Sequence, residues 1–212
     1  MRKPKTILLY DNGRPLRFVV RQMPALQMEA WLERAAELLP LPRLGGAPAH
    51  PVGVAGLLLR RGIFALARAG GEQPAALLEE MLQRCCSLVD GENGAETPCS
   101  SEIINSRISD VRTLLRLRWA ALRENLIFAC EGARKPLSLP KEHAFRRSSE
   151  GRHYARTVNV PQVAGFLIGQ GMASLNELRT GYSFSEALDL LEIINVRNYN
   201  QWEAHEAARQ KR

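Results

Sequence analysis

Aromatic side chains are scarce, at 6% of 212 residues, while leucine and alanine dominate. That balance favours helices and argues against a β-sandwich, whose strands lean on aromatic and β-branched residues. Cysteine is sparse too: Cys85, Cys86, Cys99 and Cys130 include one adjacent pair and no Cys-x-x-Cys spacing. A zinc site and a disulfide framework are therefore disfavoured, and reduced, partly buried thiols are expected. Long apolar runs are missing: Val52–Leu59 is stopped by Arg60-Arg61, and a membrane span takes roughly 20 residues. The basic start Arg2-Lys3-Pro4-Lys5 is followed only by Ile7-Leu8-Leu9-Tyr10 before Asp11, too short for a signal-peptide core. The expectation is a cytoplasmic protein with no membrane partner.

Motifs that carry chemistry are also wanting. Gly169-Gln170-Gly171 is a fragment of a phosphate-loop pattern inside a helix break, and Gly53–Gly62 lacks a following Lys-Ser/Thr. There is no Gly-x-Ser-x-Gly elbow and no His-Glu-x-x-His, and His50, His143, His153 and His205 lie scattered. No catalytic residue, metal ligand or cofactor is nominated, and a non-enzyme is expected.

What the chain does have is 45% apolar residues, enough for a packed core, and a net charge of +7 that is unevenly placed. Residues 1–130 carry 17 basic and 13 acidic groups, residues 131–159 carry 7 and 3, and residues 160–212 carry 5 and 6. Excess basicity is thus concentrated in one short connector.

The pattern predicts a mainly α fold: an N-terminal β-hairpin packed on a helical body (1–132), a basic flexible linker (133–156) and a small helical C-terminal unit (157–212). Asn12-Gly13 between Lys5–Tyr10 and Leu16–Arg21 is a strong signal for a tight hairpin turn. Two strands alone are marginal in water. They need the following helix, Pro24 to Leu39, laid against them, or a partner's strand added at the edge. That helix follows from the spacing of Met28, Trp31, Leu32, Ala35, Leu38 and Leu39, with Glu29 and Glu33 keeping its early turns acidic. A Pro/Gly-rich loop is expected over 40–51, then helices over about Val52–Ala69, Pro74–Val89 and Ile103–Cys130, with a polar loop at Asp90–Thr97. In the longest helix Ile108, Val111, Leu115, Trp119, Leu122 and Leu126 form the expected core stripe. Past the linker, a short helix runs from Pro161 to Ile168. Ser174…Glu177 and Ser183…Glu186 then match the capping-box pattern, so a helix restarts at 183. Leu188, Leu191 and Ile194 line one face of that last helix, and Leu190, Ile193 and Val196 widen the stripe beyond what a small unit can bury.

Candidate partner-binding residues follow from these patterns. Arg112, Arg116 and Arg123 occupy a face beside the expected core stripe, suited to an acidic partner or phosphates but more often a plain solvated face. With Trp119 assigned to the core, that helix offers no exposed aromatic for a nucleic acid to stack on. Ile193, Val196, Tyr199 and Trp202 extend the apolar stripe of the last helix and point to docking on another surface.

The segment Phe18-Val19-Val20-Arg21-Gln22-Met23-Pro24-Ala25-Leu26-Gln27-Met28-Glu29-Ala30-Trp31, together with Leu77–Leu82 and Asp110–Arg118, resembles tail assembly chaperones of long-tailed bacteriophages. Ala173–Tyr182 and Glu186–Ile194 are similar to the small protein encoded just after that chaperone, which in the lambda-type arrangement forms a frameshifted extension. These are patterns of fold rather than of chemistry, and the loop at 40–51 departs from them. The resemblance implies a non-enzymatic role in the host cytoplasm. Residues 1–132 would bind and solubilise the tape measure protein, and residues 157–212 would recruit the major tail (tube) protein, with self-association left open. The competing class is a basic helical nucleic-acid-binding regulator using Arg112, Arg116, Arg123 and the linker, ranked below protein binding.

Overall fold

Asn12 and Gly13 take positive φ values of 50° and 84°, the backbone of a two-residue turn whose twist matches that of the strands it joins. They connect β1 (Lys5–Asp11) to β2 (Arg14–Val20) in the computed structural model. The described residues are 4–39, 51–62, 64–67, 72–90, 94–130, 132–142, 145–146 and 157–210. Residues 40–50 of the expected loop and half of the expected linker, 143–144 and 147–156, lie outside them. The chain is mainly α, with an antiparallel sheet at its N-terminal side.

That sheet is larger than a hairpin. Its order is β1-β2-β3-β4, completed by β3 (Cys86–Asp90) and β4 (Ala95–Pro98). Residues read as a helix end and a polar loop are therefore strands. The helical 3-4 spacing of Leu78, Leu82, Cys85 and Leu88 hides the switch, and what enforces it is non-local: Phe18 pairs with Leu88 and Val20 with Cys86. Helix α1 (Ala25–Leu38) follows β2 as expected, with Met28, Trp31, Leu32 and Ala35 buried. The junction between them is held by Asn125, a buried side chain. Its Oδ1 accepts the Met23 N–H at 2.6 Å, and its Nδ2 donates to the Arg21 and Ala121 carbonyls.

Helix α2 (Pro51–Arg61) is shorter than expected because Gly62, at φ 70°, ends it, and α3 (Phe64–Ala67) is a single turn. Helix α4 (Gln73–Cys85) has the expected Pro74 in its first turn and buries Leu77, Leu78, Met81, Leu82 and Cys85. The single helix expected over Ile103–Cys130 is two, α5 (Ser101–Arg107) and α6 (Val111–Leu126), followed by a 3-10 turn at Ile127–Ala129. The cause of the break lies at the far end of β1. The Asp11 carboxylate accepts the N–H groups of Ser109 and Asp110 at 3.0 and 2.8 Å, and Asp110 caps the new helix through the Arg112 N–H. The restart turns the buried face: Leu117, Ala121, Leu122 and Leu126 are inside, while Val111 is 68% exposed and Trp119 37%. Of the expected stripe, Leu122 and Leu126 are buried and Ile108 and Leu115 pack half-buried against the core, while Val111 and Trp119 leave it.

Those two backbone N–H groups hold the Asp11 carboxyl below its ordinary value near 3.8. A depressed folded-state pKa contributes stability that is present above the unfolded value and disappears as pH falls through the folded one. Asp11→Ala is expected to lower the melting temperature at pH 7 and to shrink the difference from wild type as pH drops below 3.8. Thermal melts over that range check both.

Both C-terminal capping boxes form. Ser174 and Glu177 cap α8 (Leu175–Thr180), and Ser183 and Glu186 cap α9 (Phe184–Gln210), each by reciprocal side-chain and backbone bonds. With α7 (Gln162–Gly169), these helices pack on α1. One contiguous apolar cluster includes Phe18, Trp31 and Leu82 together with Leu167, Leu178, Phe184 and Ile194. The chain crosses between the two parts through short contacts: the Ala25 N–H donates to the Tyr182 carbonyl at 2.7 Å, and Pro24 bridges Ser183. Glu29, read from the sequence as keeping the early turns of α1 acidic, is buried, and its carboxylate accepts the Val163 and Ala164 N–H groups at the start of α7, at 2.6 and 3.0 Å. Among the described residues no helix is long and apolar enough to cross a membrane.

Candidate interaction surfaces

The described part of the linker lies against α9. Arg134 forms ion pairs with Asp189 and Glu192 and donates to the Ser185 carbonyl, and Lys141 pairs with Glu203. Phe145 stacks edge-on against Tyr199 and Trp202, at ring-centroid distances of 5.6 and 5.7 Å. The Tyr199 hydroxyl also accepts the Lys141 N–H. Two of the residues nominated for docking on another surface are therefore covered from within the chain: Tyr199 is buried and Trp202 half-buried. The sequence offers Phe145 as one of two aromatics, with Tyr154, in a polar stretch, and that was the available signal. Ile193 stays 54% exposed and Val196 half-buried.

Among the described residues, two concave surfaces bear on these nominations. The first, about 470 Å³ and open to solvent, lies between α9 and the stretch from Phe128 to Leu137. Val52, Phe128, Leu137, Leu188 and Leu191 line it, and Arg134 and Lys135 stand among them. The second, about 220 Å³, sits beside β1 and is lined by Lys5, Ile7, Val20, Trp119, Ala120, Arg123, Glu124 and Ile127. Of the nominated arginines, Arg123 reaches this second cavity, and Arg112 and Arg116 continue along the same exposed face of α6. Contrary to the expectation of a helix without exposed aromatics, Trp119 stands between Arg116 and Arg123 on that face. Ile193 and Val196 line neither cavity.

Comparison with family models, curated proteins and solved structures finds no match to the chain.

Among the described residues no three His, Cys, Asp or Glu side chains are grouped to hold a metal. Burial pushes the Cys85 thiol up to about 12 and Cys99 up to about 11, and burial with two thiol neighbours raises Cys86 as well. None of these three presents a thiolate nucleophile near neutral pH.

Proposed function

We propose that this chain is a tail assembly chaperone of the long-tailed phage kind, which binds the tape measure protein, keeps it soluble and recruits tail-tube subunits. The observation that carries this reading is the open apolar groove between α9 and Phe128–Leu137. The apolar part of its lining, Phe128, Leu137, Leu188 and Leu191, suits the apolar face of an amphipathic helix, the recognition mode that a long helical tape measure protein would need. Lys135, exposed at the rim, would meet acidic residues on the polar face of such a helix. The capped helix α9 that builds one wall also belongs to the stretch that resembles the extension. Co-expression tests the reading: the cognate tape measure protein is expected in the soluble fraction with this chain present and in the pellet without it. Equal solubility in both cultures would overturn it.

Trp119 between Arg116 and Arg123 supports a second reading, binding of single-stranded nucleic acid by stacking on a basic face. That reading requires affinity to fall steeply as salt rises, and a gel shift at low salt that shows no complex removes it.

A further inference from the structure

The two edges of the sheet are built differently. β4 spans four residues, Ala95–Pro98, and contains Glu96 and Pro98, the features that blunt an edge against added strands. β1 spans seven residues, and its interior, Ile7-Leu8-Leu9-Tyr10, has neither charge nor proline. The two-residue turn makes Asp11 and Arg14 a hydrogen-bonded pair, so Leu9 and Ile7 direct their backbone groups at β2. Thr6, Leu8 and Tyr10 direct theirs outward. Consistent with this, the Tyr10 carbonyl accepts the Thr113 hydroxyl at 3.0 Å. Among the described residues no strand pairs with β1 on that side. The side chains of Leu8 and Tyr10, on the outer face, are 51% and 56% exposed.

The inner side of this edge is cationic. Lys5 and Arg123 line the cavity there with Trp119, and Arg112, Arg116, Trp119 and Arg123 follow one another at helical steps along α6. On β2, Arg14 is exposed on the same inner side, and Arg17 is exposed on the outer face, opposite Leu8. None of these six cations forms an ion pair with a described acid. Asp11, the acid at the end of the strand, is already committed to the Ser109 and Asp110 N–H groups.

We infer that β1 is a docking edge for an extended acidic peptide segment of a partner protein, which adds to the sheet as a fifth strand. Residues of such a strand alternate between the two faces. One set lies beside Leu8 and Tyr10 and is apolar, and the other lies over the inner side and carries carboxylates toward Lys5, Arg123 and Arg116. Pairing of two copies of β1 is the disfavoured occupant. An antiparallel pair centred on Leu8 places both α6 helices on the same side of the joint, with the arginines of one copy against those of the other. Nucleic acid would use the arginines and Trp119 but leaves the outward N–H and C=O groups of Thr6 and Leu8 unmet. This inference concerns a different face from the apolar groove and does not depend on the tape-measure reading.

The test is selection of a displayed library of random ten-residue peptides on the full chain. The expected winners alternate apolar and acidic residues. A synthetic winner is expected to slow amide exchange at Thr6 and Leu8 in the unaltered protein, and to bind the Lys5→Glu/Arg123→Glu variant at least tenfold more weakly at an unchanged melting temperature. Should that variant melt early, the exchange pattern of the unaltered protein decides. Failure to enrich any sequence, winners without carboxylates, or protection elsewhere would overturn the inference. So would a dimer of the free chain that protects the same amides, or an oligothymidylate that protects them where the peptide does not.

Discussion

Replacing Trp31 with alanine is expected to destabilise the protein by about 3–5 kcal/mol. The indole is fully buried at the middle of α1, and its Nε1 donates to the Leu77 carbonyl at 3.0 Å. Helix α1 touches α2 and α4 on the body side and α7, α8 and α9 on the other, so a cavity there loosens both halves of the core. Trp31→Phe separates the two contributions. It retains most of the volume but removes the indole's bond to the Leu77 carbonyl, which keeps its helical partner, at a cost of about 0.5–1.5 kcal/mol. Denaturant unfolding of the three proteins should rank them wild type, Trp31→Phe, Trp31→Ala. An alanine variant within about 1 kcal/mol of wild type would mean that α1 is not the centre of the core.

The second large effect is a pH dependence that originates at Glu29. Burial pushes its carboxyl up to about 7, against the pull of the Val163 and Ala164 N–H groups, and the neighbouring Glu33 adds to the rise. Burial raises Glu33 as well. A carboxyl raised from 4.5 to about 7 stays protonated in the folded state while the unfolded chain has already ionised. The folded state then binds more protons across that window, so stability falls as pH rises from 4.5 to about 7 and levels off above it. The total loss is about 3 kcal/mol, from the shift and the energy of one pKa unit. Glu29→Gln keeps an acceptor for one amide and removes the titration. Its stability should therefore vary less between pH 5 and pH 8 than that of wild type, by about that amount. Parallel unfolding curves of the two proteins across the range would show that Glu29 does not titrate there. Because Glu29 sits on α1 and its acceptors' donors on α7, the same experiment reports how tightly the C-terminal helices are held.

Local signals made much of this fold legible. Asn12-Gly13, Pro74, and the serine–glutamate pairs at 174–177 and 183–186 each act within a few residues, and each did what its chemistry dictates. The mistakes came from long-range partners. Asp11 lies nearly a hundred residues from the amides whose helix it interrupts, and the rotated face that exposes Trp119 follows from that break. Strands β3 and β4 exist because β2 offers an edge to pair with, and their own residues read equally as helix end and loop. Glu29 and Asn125, both buried polar groups with distant amide partners, carry no mark in the sequence. The interaction surfaces were legible only in part. Arg123 was placed on a usable face, but the apolar reserve assigned to Tyr199 and Trp202 is met by Phe145.

The central functional claim is that the apolar groove beside α9 receives the tape measure protein. Leu137 and Leu191 line that groove, and Leu137 is on its exposed side. The direct measurement is co-purification of the tape measure protein with Leu137→Glu and with Leu191→Glu, each checked for an unchanged melting temperature. The account predicts that wild type retains the tape measure protein and that the folded groove variants lose most of it. Retention of the tape measure protein by a folded Leu137→Glu variant, at the wild-type ratio, would contradict it.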